Sequence, residues 1–347
     1  AGRGGREAGE GRVIGDSAGV GAAMFLPLLF LLLISSSFVA ALVPPKASTL
    51  RIFTTSEYEE MRDDTARSGA YERALGQLVD GRTTVLDVGT GRFALWALEA
   101  ARLGARSVFG VEVNDEAADA ARRAVQKAAA RSVTVIIEGL ASEVELPSRV
   151  DLVVHELLGE IAGRESAVQI VEDAMMRHGH SGTRSLPAKA FSWVAPAELR
   201  FIDERGLPIL MPPQRVPTMR FESFDFKNLA LSSPQIFESI DFDNSNELLQ
   251  QTALIFDVEQ EGDLGGFAIF ITAQMIANST APPKLTRAHF HASSSEEFGF
   301  SSAWEGSSWS NPFLRLNLVS DEIVRVHPGD RIRLSVQSDL RRSPPCY

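Results

Sequence analysis

A short apolar strand that runs directly into a glycine turn constrains this chain more than any other feature. Residues 85–91 (VLDVGTG) end a hydrophobic run with two glycines, and a helical pattern begins immediately afterwards. Glycine lets a ligand approach the backbone, and the start of the following helix offers free N–H groups. Helix and strand continue to alternate from Tyr58 to about Pro196. This alternation predicts a parallel sheet with helices on both faces.

The predicted elements divide the chain into two folded halves. In the first half the pattern indicates these helices and strands: Tyr58–Leu78, Thr84–Val88, a helix through Leu103, Ser107–Glu112, Ala117–Ala130, Val133–Ile137 and Leu152–His155. In the second half, period-two alternation and turn signals indicate these strands: Thr252–Gln260, Phe267–Ala277, Phe313–Val319 and Arg331–Val336. Such a series of strands is typical of an antiparallel barrel or sandwich. We expect residues 58–196 to form the parallel-sheet domain, residues 197–347 the barrel domain, and residues 1–57 to lie outside the fold.

Composition narrows the class of protein. The 347 residues are 44% hydrophobic, which suits a folded core, and carry a net charge of −11. A negative chain is poorly suited to coating nucleic acid and is better suited to a positively charged partner. The single cysteine, Cys346, excludes an internal disulfide and a cysteine zinc cage. His289 and His291 lack a clear third ligand, so we expect no metal site.

An apolar segment near the N-terminus resembles a targeting signal. Its hydrophobic run, Phe25–Ile34, has the length of a signal-peptide core, and Val39–Ala41 resembles a cleavage site. The alternative is an uncleaved membrane anchor. The stretch that follows lacks acids up to Glu57, as in a short organelle transit sequence. We expect the secretory pathway or a plastid, and the cytoplasm if the segment is an artefact of the gene model.

Two nucleotide cofactors compete for the glycine turn. Gly89, Gly91 and Ala94 satisfy the dinucleotide pattern GxGxxG/A, and Glu112 ends the next strand, where an acid can bind both hydroxyls of a ribose. Asp87, however, is poorly placed beside a pyrophosphate. It suits a ligand that carries an ammonium and a sulfonium, so we favour S-adenosylmethionine over NAD. A tight turn without a ligand is the remaining alternative.

A pair of glutamates follows the fourth predicted strand. Glu156 and Glu165 are nine residues apart in residues 155–165 (HELLGEIAGRE), at the edge where parallel sheets bind ligands. Two converging carboxylates repel each other unless a cation lies between them, and a planar guanidinium is well suited to that place. For Glu160 we expect a solvated position on a surface loop, and the same position is an open alternative for Glu156 and Glu165. His155 is interpreted as a packed histidine, with a role as proton acceptor as the alternative.

Together these motifs resemble the protein arginine methyltransferases over residues 56–336. The resemblance implies a class I methyltransferase sheet of Rossmann type followed by a β-barrel, with S-adenosylmethionine as cofactor. Residues 58–71 resemble the family's N-terminal helix pair. The resemblance implies that Arg67 binds the donor's carboxylate, that Met61 lies near the transferred methyl, and that Glu156 and Glu165 are catalytic. The implied cofactor contacts also include Asp87, Gly89, Gly91, Glu112, Leu140 and Ala141, and the implied substrate contacts are Tyr58, Ser308 and Trp309.

The resemblance has departures. HELLG and residues 231–235 (LSSPQ) are similar to the symmetric-dimethylating branch, as is Ser308 where the asymmetric branch has histidine, whereas Met61 indicates the opposite. Arg92, Phe93 and Ala94 stand where most members have a third glycine. A small-molecule methyltransferase and an inactive binding protein therefore stay open as alternatives. The expected partners are a protein substrate with an arginine-rich segment and a second copy of the chain.

Overall fold

The computed structural model describes residues 13–14, 46, 50, 52–129, 133–198, 218–221, 225–277, 285, 300–303, 311–316, 324–342 and 345–347. The apolar segment 24–41, His289, His291, Ser308 and Trp309 lie outside these residues. Among the described residues, no helix is both long and apolar enough to cross a membrane.

The first half of the chain forms a parallel sheet with helices. Strand β1 (Val13–Ile14) pairs with Arg331 and Ile332 of the second half, so these two residues belong to the fold although residues 1–57 were expected to lie outside it. The elements of the parallel-sheet half are, in chain order, α1 (Thr55–Asp63), α2 (Thr65–Leu78), β2 (Thr84–Val88), α3 (Leu95–Arg102), β3 (Ser107–Glu112), α4 (Asp115–Lys127), β4 (Val133–Glu138), β5 (Val150–His155), α5 (Ala167–His178) and β6 (Gly179–Leu186). The sheet order is β4-β3-β2-β5-β6, and every pairing is parallel.

Both faces of this sheet are buried. Neighbouring strand residues point to opposite sides, so Val85 contributes to a core with alanines of α3 and α4, and Leu86 to a second core with Ile170 of α5. The strands are therefore continuously apolar, and helices cover both faces as predicted.

The predicted helix over Tyr58–Leu78 is two helices. Asp64 ends α1 with an extended backbone (φ −69°, ψ 93°), and its side chain accepts a hydrogen bond from the backbone N–H of Arg67 at the start of α2. A capping aspartate thus turns the chain between them. Because no residue of α1 is buried, α1 lies on the outside of the domain.

The second half is antiparallel. Its elements are β7 (Lys189–Glu198), β8 (Thr218–Phe221), α6 (Phe226–Leu229), β9 (Gln235–Asp241), β10 (Leu249–Asp257), β11 (Gly262–Gln274), β12 (Phe300–Ser301), β13 (Asn311–Arg315), β14 (Val324–Val326) and β15 (Arg331–Asp339). One sheet has the order β8-β13-β11-β7-β9, with β12 and β14 also paired to β11, and the other has the order β1-β15-β10. Apolar residues of both sheets, among them Phe237, Phe256 and Phe267, pack together as a barrel core.

The change from parallel to antiparallel pairing lies before the predicted boundary. We expected the barrel to begin at residue 197, but β7 already pairs with β9 and β11 from Lys189 onward. The continuous apolar run of β7 resembles a parallel strand because both of its faces are buried. Residues of β7, β9 and β11 share one core with the parallel-sheet domain, so the two halves pack directly on each other.

Candidate active site

A cavity of about 550 Å³ lies at the carboxyl ends of β2, β3, β4 and β5. It is the usual ligand position for an open parallel sheet. Most of the site residues named from the sequence line it: Tyr58, Met61, Arg67, Gly89, Gly91, Glu112, Leu140, Ala141, Glu156 and Glu165. Asp87 is not part of the lining, and Ser308 and Trp309 are outside the described residues.

The glycine turn, residues 89–94, forms the floor of one end of the cavity. Gly89 and Gly91 have φ values of 71° and 64°, which favour glycine. A Cβ on residue 91 would lie 3.2 Å from Cε1 of Tyr58, so the Tyr58 ring lies directly against the backbone of the turn. Tyr58, which was named from the sequence as a substrate contact, therefore lies at the glycine-turn end of the cavity.

Asp87 supports the glycine turn from behind. It is fully buried, and its Oδ2 accepts hydrogen bonds from Thr90 Oγ1 at 2.6 Å and from the backbone N–H of Ala97 at 3.1 Å. Burial raises the pKa of this carboxyl to about 7. We expected Asp87 to contact the ammonium of a ligand directly. In the structure its side chain instead points inward and binds the glycine turn and the start of α3.

Glu112 lies at the end of β3 with its carboxylate held by two backbone groups. Gly91 N–H donates to Oε2 and Asn114 N–H donates to Oε1, both at 2.9 Å. Burial raises the pKa of Glu112, and these hydrogen bonds oppose that effect. The acid that the sequence assigns to a ribose is thus fixed in place at the edge of the cavity.

Arg92 and Phe93 join the glycine turn to α1. An Nη1 hydrogen of Arg92 is donated to Thr55 Oγ1 at the start of α1. Near the end of α1, the guanidinium of Arg62 lies 4.9 Å from the centre of the Phe93 ring, within range of a cation–π contact. Ala94 adopts the left-handed conformation (φ 47°) that a glycine would adopt more easily. The residues that replace the family's third glycine therefore hold the outer helix over the cavity.

The stretch after β4 is fixed by a histidine. Leu140 and Ala141 line the cavity after β4, and the carbonyl of Ala141 lies 2.9 Å from Nε2 of the buried His178 at the end of α5. This contact was not predicted from the sequence. His178 holds the carbonyl side of the peptide, which leaves the cavity side of Ala141 available to a ligand.

Arg67 and Glu156 form an ion pair across the cavity. The Nη1 of Arg67 contacts Glu156 Oε1 directly, and the Arg67 side chain is only 1% exposed. Burial lowers the pKa of Arg67 to about 10, so the guanidinium still carries its charge at neutral pH. Arg67, which the sequence predicts to bind the methyl donor, and Glu156, which it predicts to bind the substrate, are therefore in direct contact.

The double-glutamate loop, residues 156–165, brings more charge into the cavity than the sequence predicts. Glu160 was expected to be a solvated surface acid, but it is 8% exposed and lines the cavity with Glu156 and Glu165. Its Oε2 lies 3.7 Å from the Nη1 of Arg164. The expectation for Glu160 is wrong because the loop folds inward against the second half of the chain.

The tip of this loop is inserted into the barrel domain. Ile161 packs into the barrel core. The next two backbone N–H groups are bound by barrel side chains: Ala162 donates to Ser192 Oγ at 2.9 Å, and Gly163 donates to Glu238 Oε1 at 3.0 Å. Ser192 also donates to the same Glu238 oxygen at 2.8 Å. Both barrel residues were missed, since nothing in the sequence links positions 30 and 75 residues away to the loop.

His155 is a packed histidine. Its ring is fully buried and lies with its centre 4.5 Å from that of Phe242, and it does not line the cavity. Burial lowers its pKa to about 3, so the ring is neutral at physiological pH. The Tyr71 hydroxyl donates to its carbonyl at 2.8 Å. Burial outside the cavity favours the packed role over that of proton acceptor.

Comparisons with known proteins agree with this architecture. A family model described as ribosomal protein L11 methyltransferase (PrmA) matches residues 72–182. The chain is 34% identical over 152 residues to protein arginine N-methyltransferase PRMT10 of Arabidopsis thaliana, a match that covers 42% of this chain and 38% of that relative. It is 26% identical over 310 residues to the probable protein arginine N-methyltransferase 6 of the same plant, covering 84% and 66% respectively. The chain thus spans less than two thirds of these relatives' lengths.

Two solved structures are similar at 20% identity. The crystal structure of protein arginine methyltransferase 10 from Arabidopsis thaliana has a TM-score of 0.63 and covers 82% of this chain and 88% of its own. A PRMT1 enzyme–prozyme heterotetrameric complex with AdoHcy from Trypanosoma brucei has a TM-score of 0.59, with coverages of 81% and 86%. These matches confirm the predicted fold of a parallel-sheet methyltransferase domain followed by an antiparallel barrel.

Proposed function

We propose, from the similarity to protein arginine N-methyltransferases and from the cavity, that the chain transfers methyl groups from S-adenosylmethionine to arginine side chains of proteins. The observation that carries the proposal is the convergence of Arg67, Glu156 and Glu165 on one cavity behind a glycine turn. A cavity of this kind has a place for an anionic group of the donor and a place for a cationic acceptor.

The residues present fit this donor. The volume of about 550 Å³ suits a nucleoside-sized ligand. A ribose would bind Glu112, an adenine would lie along Leu140 and Ala141, and the ligand's carboxylate would bind Arg67 at the other end of the cavity. Gly89 and Gly91 leave the room that a side chain would fill. When bound, the donor supplies an electrophilic methyl group.

Glu156 and Glu165 would hold the acceptor guanidinium. A free guanidinium is a poor nucleophile because its nitrogen electrons are delocalised. Carboxylates that bind its other nitrogens fix its orientation and offset the positive charge that increases as it is methylated. His155 is buried and neutral, so the proton that the product loses passes to solvent.

The ion pair between Arg67 and Glu156 suggests how donor and acceptor affect each other. A donor carboxylate competes with Glu156 for Arg67, and its binding makes Glu156 available for the arginine substrate. We propose that donor binding increases the affinity for the acceptor.

The product and the partners are proposals of finer detail. Ser308 supports symmetric dimethylation and Met61 supports the opposite, so mass spectrometry of the methylated peptide decides between them.

The net charge of −11 supports arginine-rich substrates. We propose self-association of the chain, which light scattering measures. The segment 24–41 is proposed as a signal or anchor that directs the chain to the secretory pathway or a plastid, which fractionation of cells tests.

A methyl-transfer assay tests the function. Labelled donor is given with peptides that are identical except that their basic residues are all arginine or all lysine. We expect label only in the arginine peptide, and loss of transfer in Glu156→Gln and Glu165→Gln while S-adenosylhomocysteine still binds. A parallel incubation of labelled donor with protein and metabolite pools tests the alternative, because label in small metabolites alone would establish a small-molecule methyltransferase. Binding of arginine peptides without any turnover would establish an inactive binding protein.

A further inference from the structure

We propose that Glu238 of the barrel domain is a positioning residue that sets the place of Glu165 in the cavity. This inference rests on the proposed function, because it concerns how the acceptor site is held. Glu238 lies on β9, 75 positions after Gly163 and in the other half of the chain. It does not line the cavity, so it acts through the double-glutamate loop.

Glu238 is placed to fix the loop at its tip. It is fully buried, and one carboxylate oxygen accepts both the Gly163 N–H at 3.0 Å and the Ser192 hydroxyl at 2.8 Å. Ser192 in turn accepts the Ala162 N–H at 2.9 Å. Two successive N–H groups of the loop, three and two positions before Glu165, are thus bound by one connected pair of barrel side chains. Burial raises the pKa of Glu238, and the hydrogen bonds from Gly163 and Ser192 oppose that effect.

The close approach of Gly163 makes this contact specific. A Cβ on residue 163 would lie 2.8 Å from Leu340 Cδ2 and 3.3 Å from Glu238 Oε2. A side chain at residue 163 would therefore require Leu340 to move. At the base of the loop, a Cβ on Gly159 would lie 3.3 Å from Cγ of Glu165. Glu165 thus lies against the base of the loop whose tip Glu238 binds, and we expect a displaced tip to displace its carboxylate.

The barrel offers a matched control. Glu198 on β7 is also a buried glutamate, 2% exposed, and its Oε1 accepts a backbone N–H, that of Asp263, at 2.7 Å. It lies six positions from Ser192 on the same strand, which is about 20 Å in an extended chain. Replacing Glu198 therefore removes the same kind of contact from the same domain without touching the loop.

The experiment compares Glu238→Leu, Glu238→Gln and Glu198→Leu in the full chain. Hydrogen exchange of the Ala162 and Gly163 amides should become about tenfold faster in Glu238→Leu and stay near wild type in the other two, since glutamine keeps an acceptor oxygen. In methyl transfer to the arginine peptide, Glu238→Leu should lose about tenfold or more in kcat, because small displacements of positioned groups are costly. Its KM for the donor should stay within about threefold, and Glu238→Gln should recover most of kcat.

The outcomes separate the two proposals. Unchanged exchange of the loop amides in Glu238→Leu would overturn the positioning role, and so would faster exchange with an unchanged kcat. An equal loss of kcat in Glu198→Leu would show that any buried glutamate of the barrel has this effect through general destabilisation. That result would also overturn the positioning role of Glu238. If the wild type transfers no methyl group, the proposed function fails. Binding of the arginine peptide, measured by calorimetry, then decides the matter, and a selective loss in Glu238→Leu supports the positioning role.

Discussion

The glycine turn and the double-glutamate loop lie at the same edge of the same sheet, yet they are held in different ways. The turn is fixed within its own domain, by Asp87 from below and by α1 from above through Arg92 and Phe93. The loop is fixed by the other domain, through Ser192 and Glu238. Because the turn presents mainly backbone atoms to a ligand, its side chains can differ between proteins. In this chain Arg92 and Phe93 bind α1. The loop offers carboxylates, so their position depends on distant residues.

The largest expected effect tests the loop's own side chain. Glu165→Gln should lower kcat for arginine methylation by about 10²–10³-fold, because a placed charge is lost, while S-adenosylhomocysteine affinity stays within about threefold. Glu172→Gln is the control, since Glu172 lies on the next helix and accepts a hydrogen bond from Asn246 that glutamine keeps. Steady-state kinetics and calorimetry measure both quantities. A similar loss of donor binding would show that Glu165 serves the donor end instead.

A second prediction tests the dependence of the loop on the barrel. Gly163→Ala places a methyl group 2.8 Å from Leu340 and should cost about 1–3 kcal/mol of unfolding free energy and reduce kcat. Gly76→Ala on α2 has nothing within 4 Å of the added Cβ and should stabilise by up to about 1 kcal/mol, because alanine is the better helix former. Urea denaturation measures both. Equal stability of the two variants would mean that the loop tip adjusts freely.

A third, smaller effect concerns the turn. Arg92→Ala and Phe93→Ala each remove one attachment of α1, a helix with no buried residue, so donor release should become about three- to tenfold faster. Stopped-flow measurement of S-adenosylhomocysteine release checks this. Arg82→Ala serves as the control, since that side chain is 92% exposed in the turn before β2. Unchanged release rates would show that α1 is held by its other contacts.

The smallest effect is on pH dependence. Because the pKa of Asp87 is raised to about 7 in the folded chain, the folded state keeps a proton between about pH 4 and pH 7 that the unfolded state has lost. Stability from this group therefore falls as the pH rises through that window. Asp87→Asn keeps an acceptor for Thr90 and Ala97 and should make Tm less dependent on pH between pH 5.5 and 8. Asp119→Asn, exposed on α4, should leave the wild-type profile unchanged. A profile for Asp87→Asn equal to wild type would contradict the raised pKa.

Local motifs predicted much of this site, and contacts between distant segments account for what they missed. The two glycines, Glu112 and the glutamate pair follow strands in sequence, and strand ends of a parallel sheet meet at one edge, so their convergence follows from the motif order. The fate of Glu160 could not be predicted, because it depends on Ile161 packing in a core made mainly from residues after 190. The prediction for Asp87 differed for a related reason. Its position in the sequence is compatible with a contact to a ligand and with a contact to the start of α3, and the structure shows the second.

The boundaries show the same limit. A buried capping residue, Asp64, divides the first helix, and nothing in the hydrophobic pattern marks it, since both helices continue the same period. Likewise, the sequence of β7 is typical of a parallel strand. Both of its faces are buried, so it lacks the alternation of apolar and polar residues that identifies an antiparallel strand.

The insertion of Ile161, Ala162 and Gly163 into the second half has a consequence for recombination between relatives. These three residues lie within the range matched by the family model for ribosomal protein L11 methyltransferase, residues 72–182, whereas their partners lie beyond it. A chimera joined between the two halves would keep the glycine turn with its own supports but would combine the loop tip of one protein with the barrel residues of another. The smallest exchangeable unit therefore combines residues 156–165 with positions 192 and 238, and we expect these to change together as homologues diverge.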